Sequence, residues 1–493
     1  MLRWNIDQVA RALETPRPSA VPATAPVAGA SIDSRSVKPG EVFFAIHGPR
    51  HDGHEFVSEV LARGAVAVVI SQDRWAEFPG AVQSRAIGVA DTVAALGKLS
   101  AEVCRAWRGA GSGRRVAGVA GSVGKTTTKE ILAALLSARY RVLKSQGNLN
   151  NEFGLPLTLL QLNETHEAVV LEMGMSRAGE LGRLAKIAEP DAGVITRVAV
   201  EHLEFFSSIG EIAKAERELI ENLPRPGAAA VLNLDDERVA RFADVAPGKV
   251  IWFGESHAAD FRAENVEDRG IRGTAFDFVW PEGRQRLELP LAGRHNVGNA
   301  LAALAAASAW GVGAAEAREV FPRLQPAEMR GEIVEFEAGF TVINDSYNSS
   351  PLALAAAAEL IAATEGYRRR ILAAGEMLEL GAESAELHRD AGRSVGAAGK
   401  ADWIIGVRGA AAEMVGAAIA AGHPRDRAKF FDNSEEAASF LTGFLESGDL
   451  LLIKGSRGVR MEKILAALEA RHRVKDGKTQ GAVSVGRGHE EPS

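Results

Sequence analysis

The sequence predicts an α/β protein with three domains, on three observations. The chain has 493 residues, which is more than one hydrophobic core usually organises. From about residue 113 onward, apolar runs alternate with helix-forming stretches, as in sheets of parallel strands. A glycine-rich turn follows the first of these runs and leads directly into a helix.

Residues 1–112 are predicted to form a smaller N-terminal α/β domain. A helix over 6–13 is followed by strands over 41–46 and 65–70, with a helix over 55–62 between them. The glycine-rich segment 109–115 indicates a linker to the next domain.

Residues 113–326 are predicted to form a central domain with a mostly parallel sheet. Continuous apolar runs at 116–120, 168–172, 192–196 and 228–233 are typical of strands buried on both faces. Alternating polar and apolar residues over 259–291 predict antiparallel hairpins, and a helix is expected over 297–309.

Residues 327–473 are predicted to form a C-terminal Rossmann-like domain. Strands are expected at 341–343, 370–374, 403–407 and 450–453, with alanine-rich helices between them. Residues 474–493 are polar and glycine-rich, and we expect a disordered tail there.

Composition restricts the kind of protein. Hydrophobic residues make up 46% and charged residues 25%, and the net charge of −7 argues against a nucleic-acid or membrane-surface binder. A single cysteine, Cys104, excludes a disulfide within the chain. Neither a signal peptide nor an apolar run of about 20 residues is evident, so we expect a cytoplasmic protein without a membrane span.

The glycine-rich turn carries most of the functional information. The segment Ala-Gly-Ser-Val-Gly-Lys-Thr at 120–126 lies between an apolar run and a helix. Backbone N–H groups of such a phosphate-binding loop (P-loop) surround phosphates, Lys125 reaches the terminal phosphates, and the Thr126 hydroxyl can ligate magnesium. The strict P-loop pattern has a glycine where Val119 stands, and an ordinary turn is the alternative. We predict binding of a nucleoside triphosphate through Ala120, Gly121, Ser122, Val123, Gly124, Lys125 and Thr126.

Further polar residues stand at predicted strand and helix ends. Glu172 ends an apolar strand and could bind magnesium or serve as a helix cap or salt-bridge partner. His202 follows another strand and could be a ligand or a structural residue. Asn296, near a helix start, suits a base or ribose, and Arg330 could neutralise phosphoryl charge. Asp345, after a strand, could accept from ribose hydroxyls. Taken singly, Asn296, Arg330 and Asp345 are explained equally well as solvated charges or turn residues.

The combined order of segments resembles the Mur ligase family along almost the whole chain. The P-loop and the segment His-Asn-x-x-Asn at 295–299 also occur in folylpolyglutamate synthases. The segments Asn-Asn-Glu-x-Gly-x-Pro-Leu-Thr-Leu-Leu at 150–160 and Gly-x-Met-x-Glu-Leu-Gly at 375–381 are typical of the branch that adds D-alanyl-D-alanine. The remaining matches are 31–48 with Asp52-Gly-His54, 171–174, 202–204, 345–348 and 452–457.

The resemblance implies an ATP- and Mg²⁺-dependent ligase of peptidoglycan precursor synthesis. It would join UDP-N-acetylmuramoyl-tripeptide to D-alanyl-D-alanine through an acyl phosphate, in the last cytoplasmic step, as a monomer that needs no nucleic acid. The implied catalytic residues are Lys125, Glu172, His202 and Arg330. The implied magnesium ligands are Thr126, Glu172, His202 and Glu216. The implied nucleoside contacts are Asn296, Asn299 and Asp345. The implied UDP-sugar contacts are Ser34 and Arg35, with Asn148 and Asn151 along the muramoyl peptide and Lys454, Ser456 and Arg457 on the dipeptide side.

The chain departs from the family pattern at one metal-site position. Fourteen residues after the histidine, where the family usually has a carbamoylated lysine, stands Glu216, with Lys214 two residues earlier. A glutamate supplies the negative charge directly, so we predict that Glu216 supports a second magnesium ion without carbamoylation. Other departures are Phe205-Phe-Ser207, where the family usually has Gly-Phe-Gly, Glu376 in place of an aspartate, and Asn348-Ser-Ser-Pro351 in place of Asn-Ala-Asn-Pro.

Three alternatives stay open. A Mur ligase that adds the third residue generally carries an Asp-Asn-Pro-Arg type motif, which this sequence lacks. A folylpolyglutamate synthase would lack the UDP signature at Ser34 and Arg35. A nucleotide-binding switch would bind ATP without joining substrates.

Overall fold

The structure is a computed structural model that describes residues 4–48, 51–224, 226–396 and 400–475. The start of the chain, where no signal peptide is predicted, lies partly outside these residues, and so does 476–493 of the predicted tail. Two residues of the predicted tail are described. Val474 forms an isolated antiparallel β-bridge with Phe336, and the Lys475 N–H donates to Glu335 O. The ordered chain therefore continues to the last described residues.

Two compact units divide the chain. The first contains the described residues of 1–198, 213–261 and 300–316. The second contains those of 199–212, 262–299 and 317–493. The predicted domain boundaries after residues 112 and 326 stay predictions.

The elements of the described residues are given in chain order. The strands are β1 Trp4–Asn5, β2 Pro26–Val27, β3 Gly29–Ser31, β4 Glu41–Phe44, β5 Ala67–Ser71, β6 Ala86–Val89, β7 Arg115–Ala120, β8 Val142–Lys144, β9 Ala168–Glu172, β10 Ala192–Ile195, β11 Ala229–Asn233, β12 Val250–Gly254, β13 Phe261–Asp268, β14 Thr274–Trp280, β15 Gly283–Leu289, β16 Glu332–Glu335, β17 Thr341–Asp345, β18 Arg369–Gly375, β19 Trp403–Val407, β20 Ala428–Phe431 and β21 Asp449–Lys454. The α-helices are α1 Ile6–Ala12, α2 Val57–Ala62, α3 Gly80–Gln83, α4 Thr92–Gly109, α5 Lys125–Leu136, α6 Gly154–Leu159, α7 Glu180–Ala188, α8 Ile209–Glu221, α9 Glu237–Ala240, α10 His295–Ser308, α11 Ala314–Val320, α12 Pro351–Ala363, α13 Ser384–Gly396, α14 Ala411–Ala420, α15 Ser434–Phe444 and α16 Glu462–Arg471. Short 3-10 helices cover Gly53–Phe56, Gln72–Glu77, Arg241–Val245, Gly270–Arg272, Phe321–Arg323, Gly381–Glu383, Arg425–Arg427 and Arg457–Val459.

The first unit is built on parallel strands, as predicted. Strands β3 to β6 pair in sequence order, and a second parallel series runs β12-β11-β10-β7-β9-β8. Because β7 lies between β10 and β9, residues that follow these three strands meet at one edge of the sheet. The predicted P-loop, Glu172 and Thr196 stand at the carboxyl ends of these strands.

The second unit contains the predicted hairpins and a second α/β sheet. Strands β13, β14 and β15 are antiparallel neighbours. The other sheet has the order β16-β17-β21-β18-β19-β20, in which only β16 pairs antiparallel. Along β21, Leu450 and Leu452 enter one hydrophobic core while Leu451 and Ile453 enter another. Packing on both faces explains why the predicted apolar run is continuous.

The sequence reading missed several short strands. Strand β8 has three residues, too few for a recognisable pattern. In β20, Lys429 and Phe430 are exposed, so no apolar run marks this edge strand. The helix predicted over 55–62 is instead a 3-10 turn, Gly53–Phe56, followed by α2, because the Asp52 side chain accepts from the His54 N–H and starts the turn.

Candidate nucleotide and metal site

The predicted phosphate-binding loop lies between β7 and α5. Gly121 (φ +120°) and Gly124 (φ +90°) adopt positive φ angles, which glycine tolerates readily. A Cβ atom at Gly121 would lie 2.2 Å from Thr196 Oγ1, so a larger residue does not fit there. Gly124 is the N-cap of α5, and the first backbone N–H groups of a helix have no partner within it. The loop and helix start are therefore suited to an anion.

The end of β10 supports this loop. Thr196 Oγ1 lies 2.6 Å from Val123 O and 3.1 Å from Ala120 O, and the Ser122 N–H donates to Arg197 O at 2.7 Å. Ala120, Ser122 and Thr196 are all buried. The loop is thus held by the neighbouring strand as well as by its own backbone.

Lys125 and Thr126 form the first turn of α5. Lys125 Nζ donates to Gly121 O at 2.6 Å and to Ser122 O at 3.1 Å. The Lys125 ammonium group therefore lies over the loop where phosphates would be held. Thr126 is buried in the same turn.

Glu172 is the last residue of β9 and lies next to the strand that leads into the loop. In the β7–β9 ladder its register partner is Val119, which immediately precedes the loop. The side chain is 2% exposed. Asn150 Nδ2 donates to Oε1 at 2.9 Å, whereas Oε2 is buried without a hydrogen-bond partner.

This orphaned oxygen fits a magnesium ion. Lys129 Nζ lies 3.7 Å from this oxygen, within ion-pair range but beyond a hydrogen bond. A buried carboxylate oxygen without a hydrogen bond is costly unless a ligand satisfies it, and carboxylate and hydroxyl oxygens are hard ligands of the kind that Mg²⁺ prefers. Within the described ranges, no three His, Cys, Asp or Glu side chains are grouped so as to hold a metal ion. Mg²⁺ usually takes only one or two carboxylates together with phosphates and waters. Thr126 and Glu172 thus suit an ion that arrives with a nucleotide.

Glu216 lies on α8 and contacts the loop directly. Its side chain is buried, and Oε2 accepts a hydrogen bond of 2.8 Å from the Gly121 N–H. Lys214 on the same helix is exposed. Of these two candidates for the family's carbamoylated lysine, only Glu216 is buried against the loop.

In the second unit, His202 is paired with Glu379. His202 Nδ1 and Glu379 Oε2 are 2.5 Å apart, and the Glu204 N–H donates to Glu379 O at 3.2 Å. The hydrogen bond from His202 lowers the pKa of Glu379. Both paired residues have positive φ angles, +52° and +62°. Glu379 belongs to the Gly-x-Met-x-Glu-Leu-Gly segment, and the sequence predicts no functional role for it.

Asn296 and Asn299 lie one turn apart on α10, and both are buried. Asn299 Nδ2 donates to Asn296 Oδ1 at 2.9 Å, and Asn296 Nδ2 donates to Ala292 O at 2.8 Å. Burial lowers the pKa of the neighbouring His295. The two asparagines therefore form one polar pair in the first turns of the helix, and their nucleoside role stays a prediction.

Asp345 and Lys454 also form a pair. They are register partners at the ends of β17 and β21, and Lys454 Nζ lies 2.6 Å from Asp345 Oδ2 and 3.0 Å from Asn348 O. The resemblance assigned Asp345 to the nucleoside and Lys454 to the dipeptide, whereas the structure places their charged groups in contact. Nearby in sequence, the guanidinium carbon of Arg330 lies 4.2 Å from the centre of the Tyr347 ring.

The other two predicted dipeptide residues make protein contacts. Ser456 is buried, and its hydroxyl accepts from the Leu378 N–H at 2.9 Å. Arg457 Nη1 lies 3.3 Å from Met329 Sδ. Ser456 therefore supports the loop that carries Glu379, and its predicted substrate contact stays a prediction.

The residues predicted for the UDP-sugar and the muramoyl peptide lie in loops. Arg35 is exposed and pairs with Asp33 at 2.9 and 3.0 Å, and the Ser34 carbonyl accepts from Arg63. Asn148 is exposed. Asn151 Oδ1 accepts from the Gly154 N–H at 2.9 Å, so its side chain organises the start of α6.

Two departures from the family pattern have local explanations. Ser350 is the N-cap of α12 and accepts from the Ala353 N–H, a role in which serine and asparagine are comparable. Glu376 Oε1 accepts from the Ala410 N–H at 3.0 Å. Both residues serve the backbone around them.

The sequence reading missed three residues around Glu172. Asn150 holds Oε1, the Ser145 hydroxyl accepts from the Glu172 N–H at 3.1 Å, and Lys129 is buried nearby. Lys129 stands one turn after Lys125, amid the apolar residues of α5. Nothing in its local sequence indicates the contact with Glu172.

The fold and this site define a P-loop nucleotide-binding enzyme with an acidic residue beside the loop. Family models described as Mur ligase family, catalytic domain, Mur ligase middle domain, and Mur ligase, glutamate ligase domain match residues 26–103, 119–307 and 329–457. The chain belongs to the Mur ligase family.

Relatives and solved structures agree with this assignment. UDP-N-acetylmuramoyl-tripeptide–D-alanyl-D-alanine ligase of Bacillus subtilis is 34% identical, over 89% of this chain and 93% of that protein. The Escherichia coli ligase of the same name is 32% identical, over 89% and 92%. A crystal structure of MurF from Acinetobacter baumannii matches with a TM-score of 0.83 and 30% identity, over 95% and 99% of the two chains. MurF ligase of Thermotoga maritima in complex with ADP matches with a TM-score of 0.77 and 29% identity, over 90% and 97%.

No helix of the ranges that the structure describes has both the length and the apolar character needed to cross a membrane.

Proposed function

We propose that the chain is an ATP-dependent ligase that joins D-alanyl-D-alanine to UDP-N-acetylmuramoyl-tripeptide. The relatives named for this reaction align with nine-tenths of the chain. The observation that carries the proposal is the orphaned Glu172 Oε2 beside a glycine loop that ends in Lys125 and Thr126. This arrangement suits a nucleotide with its metal ion better than an ordinary strand-to-helix turn.

The reaction has two steps. A carboxylate oxygen of the tripeptide attacks the γ-phosphorus of ATP, the bond to the β-phosphate oxygen breaks, and ADP leaves. The dipeptide amine then attacks the carbonyl carbon of the acyl phosphate. The amide bond forms, inorganic phosphate leaves, and the amine gives up a proton. Phosphorylation is needed because an unactivated carboxylate would have to expel oxide.

The residues of the chain supply alignment and charge. The loop N–H groups and Lys125 hold the terminal phosphates, and Arg330 neutralises charge on the transferring phosphoryl group. Asn296, Asn299 and Asp345 hold the nucleoside. Ser34 and Arg35 bind the UDP-sugar, and Asn148 and Asn151 bind the muramoyl peptide. The remaining assigned residues, on the dipeptide side, are Lys454, Ser456 and Arg457.

Magnesium would be held by Thr126, Glu172, His202 and Glu216. Bound there, it would stabilise negative charge on the phosphate oxygens. Glu216 contributes its own carboxylate, so the enzyme needs no bicarbonate to carbamoylate a lysine. The buried position of Glu216 and the exposure of Lys214 support this choice. We further propose that the enzyme works as a monomer in the cytoplasm.

An ADP-release assay tests the reaction. The purified chain receives ATP, Mg²⁺ and UDP-N-acetylmuramoyl-tripeptide ending in lysine or diaminopimelate, with and without D-alanyl-D-alanine. ADP release only when both substrates are present supports the proposal, and the product mass identifies the new amide. Release with free diaminopimelate or glutamate as acceptor would favour the other family members. ATP binding without release for any acceptor would identify a nucleotide switch.

A further inference from the structure

Lys129 is buried to an extent that is unusual for a lysine. It lies on α5, one turn after Lys125, and its side chain is 1% exposed. Removing an ammonium group from water is costly unless partners of opposite charge and hydrogen bonds compensate. Its neighbours therefore indicate why the chain places a charge at this position.

The partners of Lys129 lead to the predicted metal carboxylate. Its Nζ donates to Ser145 O at 2.9 Å and lies 3.0 Å from Glu130 Oε1. It also lies 3.7 Å from Glu172 Oε2, within ion-pair range but beyond a hydrogen bond. That oxygen is the one without a hydrogen-bond partner.

Ser145 connects Lys129 to Glu172 a second time. The carbonyl of Ser145 accepts from Lys129, and its hydroxyl accepts from the Glu172 N–H at 3.1 Å. Asn150 holds the other carboxylate oxygen. Lys129 thus joins α5, the helix that carries Thr126, to the end of β9, the strand that carries Glu172.

We propose that Lys129 is a positioning residue, which fixes the Glu172 carboxylate relative to Thr126 so that both can bind one divalent cation. This inference rests on the proposed function, since it assumes a magnesium ion that arrives with the nucleotide. Residues that orient a metal ligand commonly change metal affinity about 10- to 100-fold when they are mutated.

The two possible roles of Lys129 predict opposite changes in the effect of Mg²⁺ on nucleotide binding when Lys129 is replaced by methionine. If its ammonium group only repels the cation, Lys129→Met strengthens the effect of Mg²⁺ on nucleotide binding. If it positions Glu172, the same change weakens that effect, because the carboxylate and the end of β9 lose their support. The sign of the change separates positioning from simple repulsion.

The experiment measures ADP affinity by calorimetry, with Mg²⁺ and with a chelator, on the full chain. For Lys129→Met we expect the ratio of the two affinities to fall about tenfold, with the chelator affinity within about twofold of the wild-type value. Lys144→Met is the matched control, since Lys144 is exposed and forms its ion pair with Glu130. Its ratio should equal that of the wild type.

Each outcome is decisive. An unchanged or larger ratio in folded Lys129→Met overturns the inference and leaves the proposed function standing. If the wild-type protein binds ADP equally well with Mg²⁺ and with the chelator, both the inference and the proposed function are overturned. Should Lys129→Met not fold, Lys129→Arg keeps the positive charge but changes the reach and geometry of the donor. Simple repulsion predicts an unchanged ratio in that variant, which would overturn the inference, whereas a reduced ratio supports it.

Discussion

The Gly121 N–H donates a hydrogen bond of 2.8 Å to the buried carboxylate of Glu216. This contact joins the first glycine of the phosphate-binding loop to α8, at the position where the family usually carries a modified lysine. Glu216 therefore has two roles in our account, as support for the loop and as a carboxylate for magnesium. The two roles can be separated by substitution.

We expect Glu216→Gln to keep the fold and to lose most of the ligase activity. The amide oxygen can still accept from Gly121, but the negative charge is gone. The free energy of unfolding, measured in urea, should change by less than about 1 kcal/mol. The activity of the wild type should not depend on added bicarbonate. Bicarbonate-dependent activity that disappears in Lys214→Ala, but not in Glu216→Gln, would contradict this prediction.

Asn150→Ala should weaken metal-dependent activity while leaving the nucleotide loop intact. The substitution removes the donor that holds Glu172 Oε1. We expect the Mg²⁺ concentration for half-maximal ADP release to rise about 10-fold or more. Gln146→Ala, four residues away and exposed, is the control for metal dependence. An unaltered Mg²⁺ requirement in Asn150→Ala would refute the prediction.

Gly121→Ala should abolish nucleotide binding. The new Cβ atom would lie 2.2 Å from Thr196 Oγ1 at a φ of +120°, so the loop must move. Gly113→Ala is a matched control, because Gly113 also has a positive φ (+79°) but no atom within 4 Å of a new Cβ. The control should lose about 1 kcal/mol of stability and keep its ADP affinity. Normal ADP affinity in Gly121→Ala would count against the proposed loop.

Asp345→Ala should destabilise the protein more than the double variant that removes the charges of both Asp345 and Lys454. It leaves Lys454, which is 4% exposed, without its carboxylate partner. Breaking such a pair costs about 3 kcal/mol, whereas the double variant Asp345→Ala/Lys454→Met should cost less. Denaturant unfolding of the two single variants and the double variant gives the coupling. Additive losses would show that the pair is not coupled.

Asp52→Asn should lower stability at neutral pH but not in acid. Burial alone would raise the pKa of Asp52, but hydrogen bonds from His54 and the charges of His54 and Arg74 lower it to about 2 from 3.8. A depressed folded-state pKa stabilises the fold above the unfolded value, and this contribution of about 2 kcal/mol is lost as pH falls from about 4 to about 2. The gap in unfolding free energy between wild type and variant should close over that range. A constant gap would assign the effect to lost hydrogen bonds.

The sequence predicted the fold and the position of a polar residue correctly where that residue stands at the end of a clear apolar run. Strand β9 was predicted residue for residue, and Glu172 lies at its end as expected, because a continuous apolar run interrupted by an acid is a clear signal. The glycine-rich turn also lies between a strand and a helix as predicted, and Gly121 and Gly124 adopt positive φ angles within it. The family resemblance added the reaction, which no spacing could provide.

What could not be predicted are contacts between distant segments. Asn150, Ser145 and Lys129 meet Glu172 only because β7, β8 and β9 pair side by side. Likewise, the contact of His202 with Glu379 joins residues 177 positions apart. Such pairs depend on tertiary packing, and a single sequence carries no local pattern that marks them.

The hydrogen bonds of Lys125 have a consequence for ligand choice. Its ammonium group already has two carbonyl partners, Gly121 O and Ser122 O. Of its three N–H donors only one is left for an incoming phosphate unless a carbonyl bond breaks, so the net gain from Lys125 is smaller than its charge suggests. Inorganic phosphate alone should therefore bind the loop weakly. Contacts to the rest of the nucleotide must then supply the specificity.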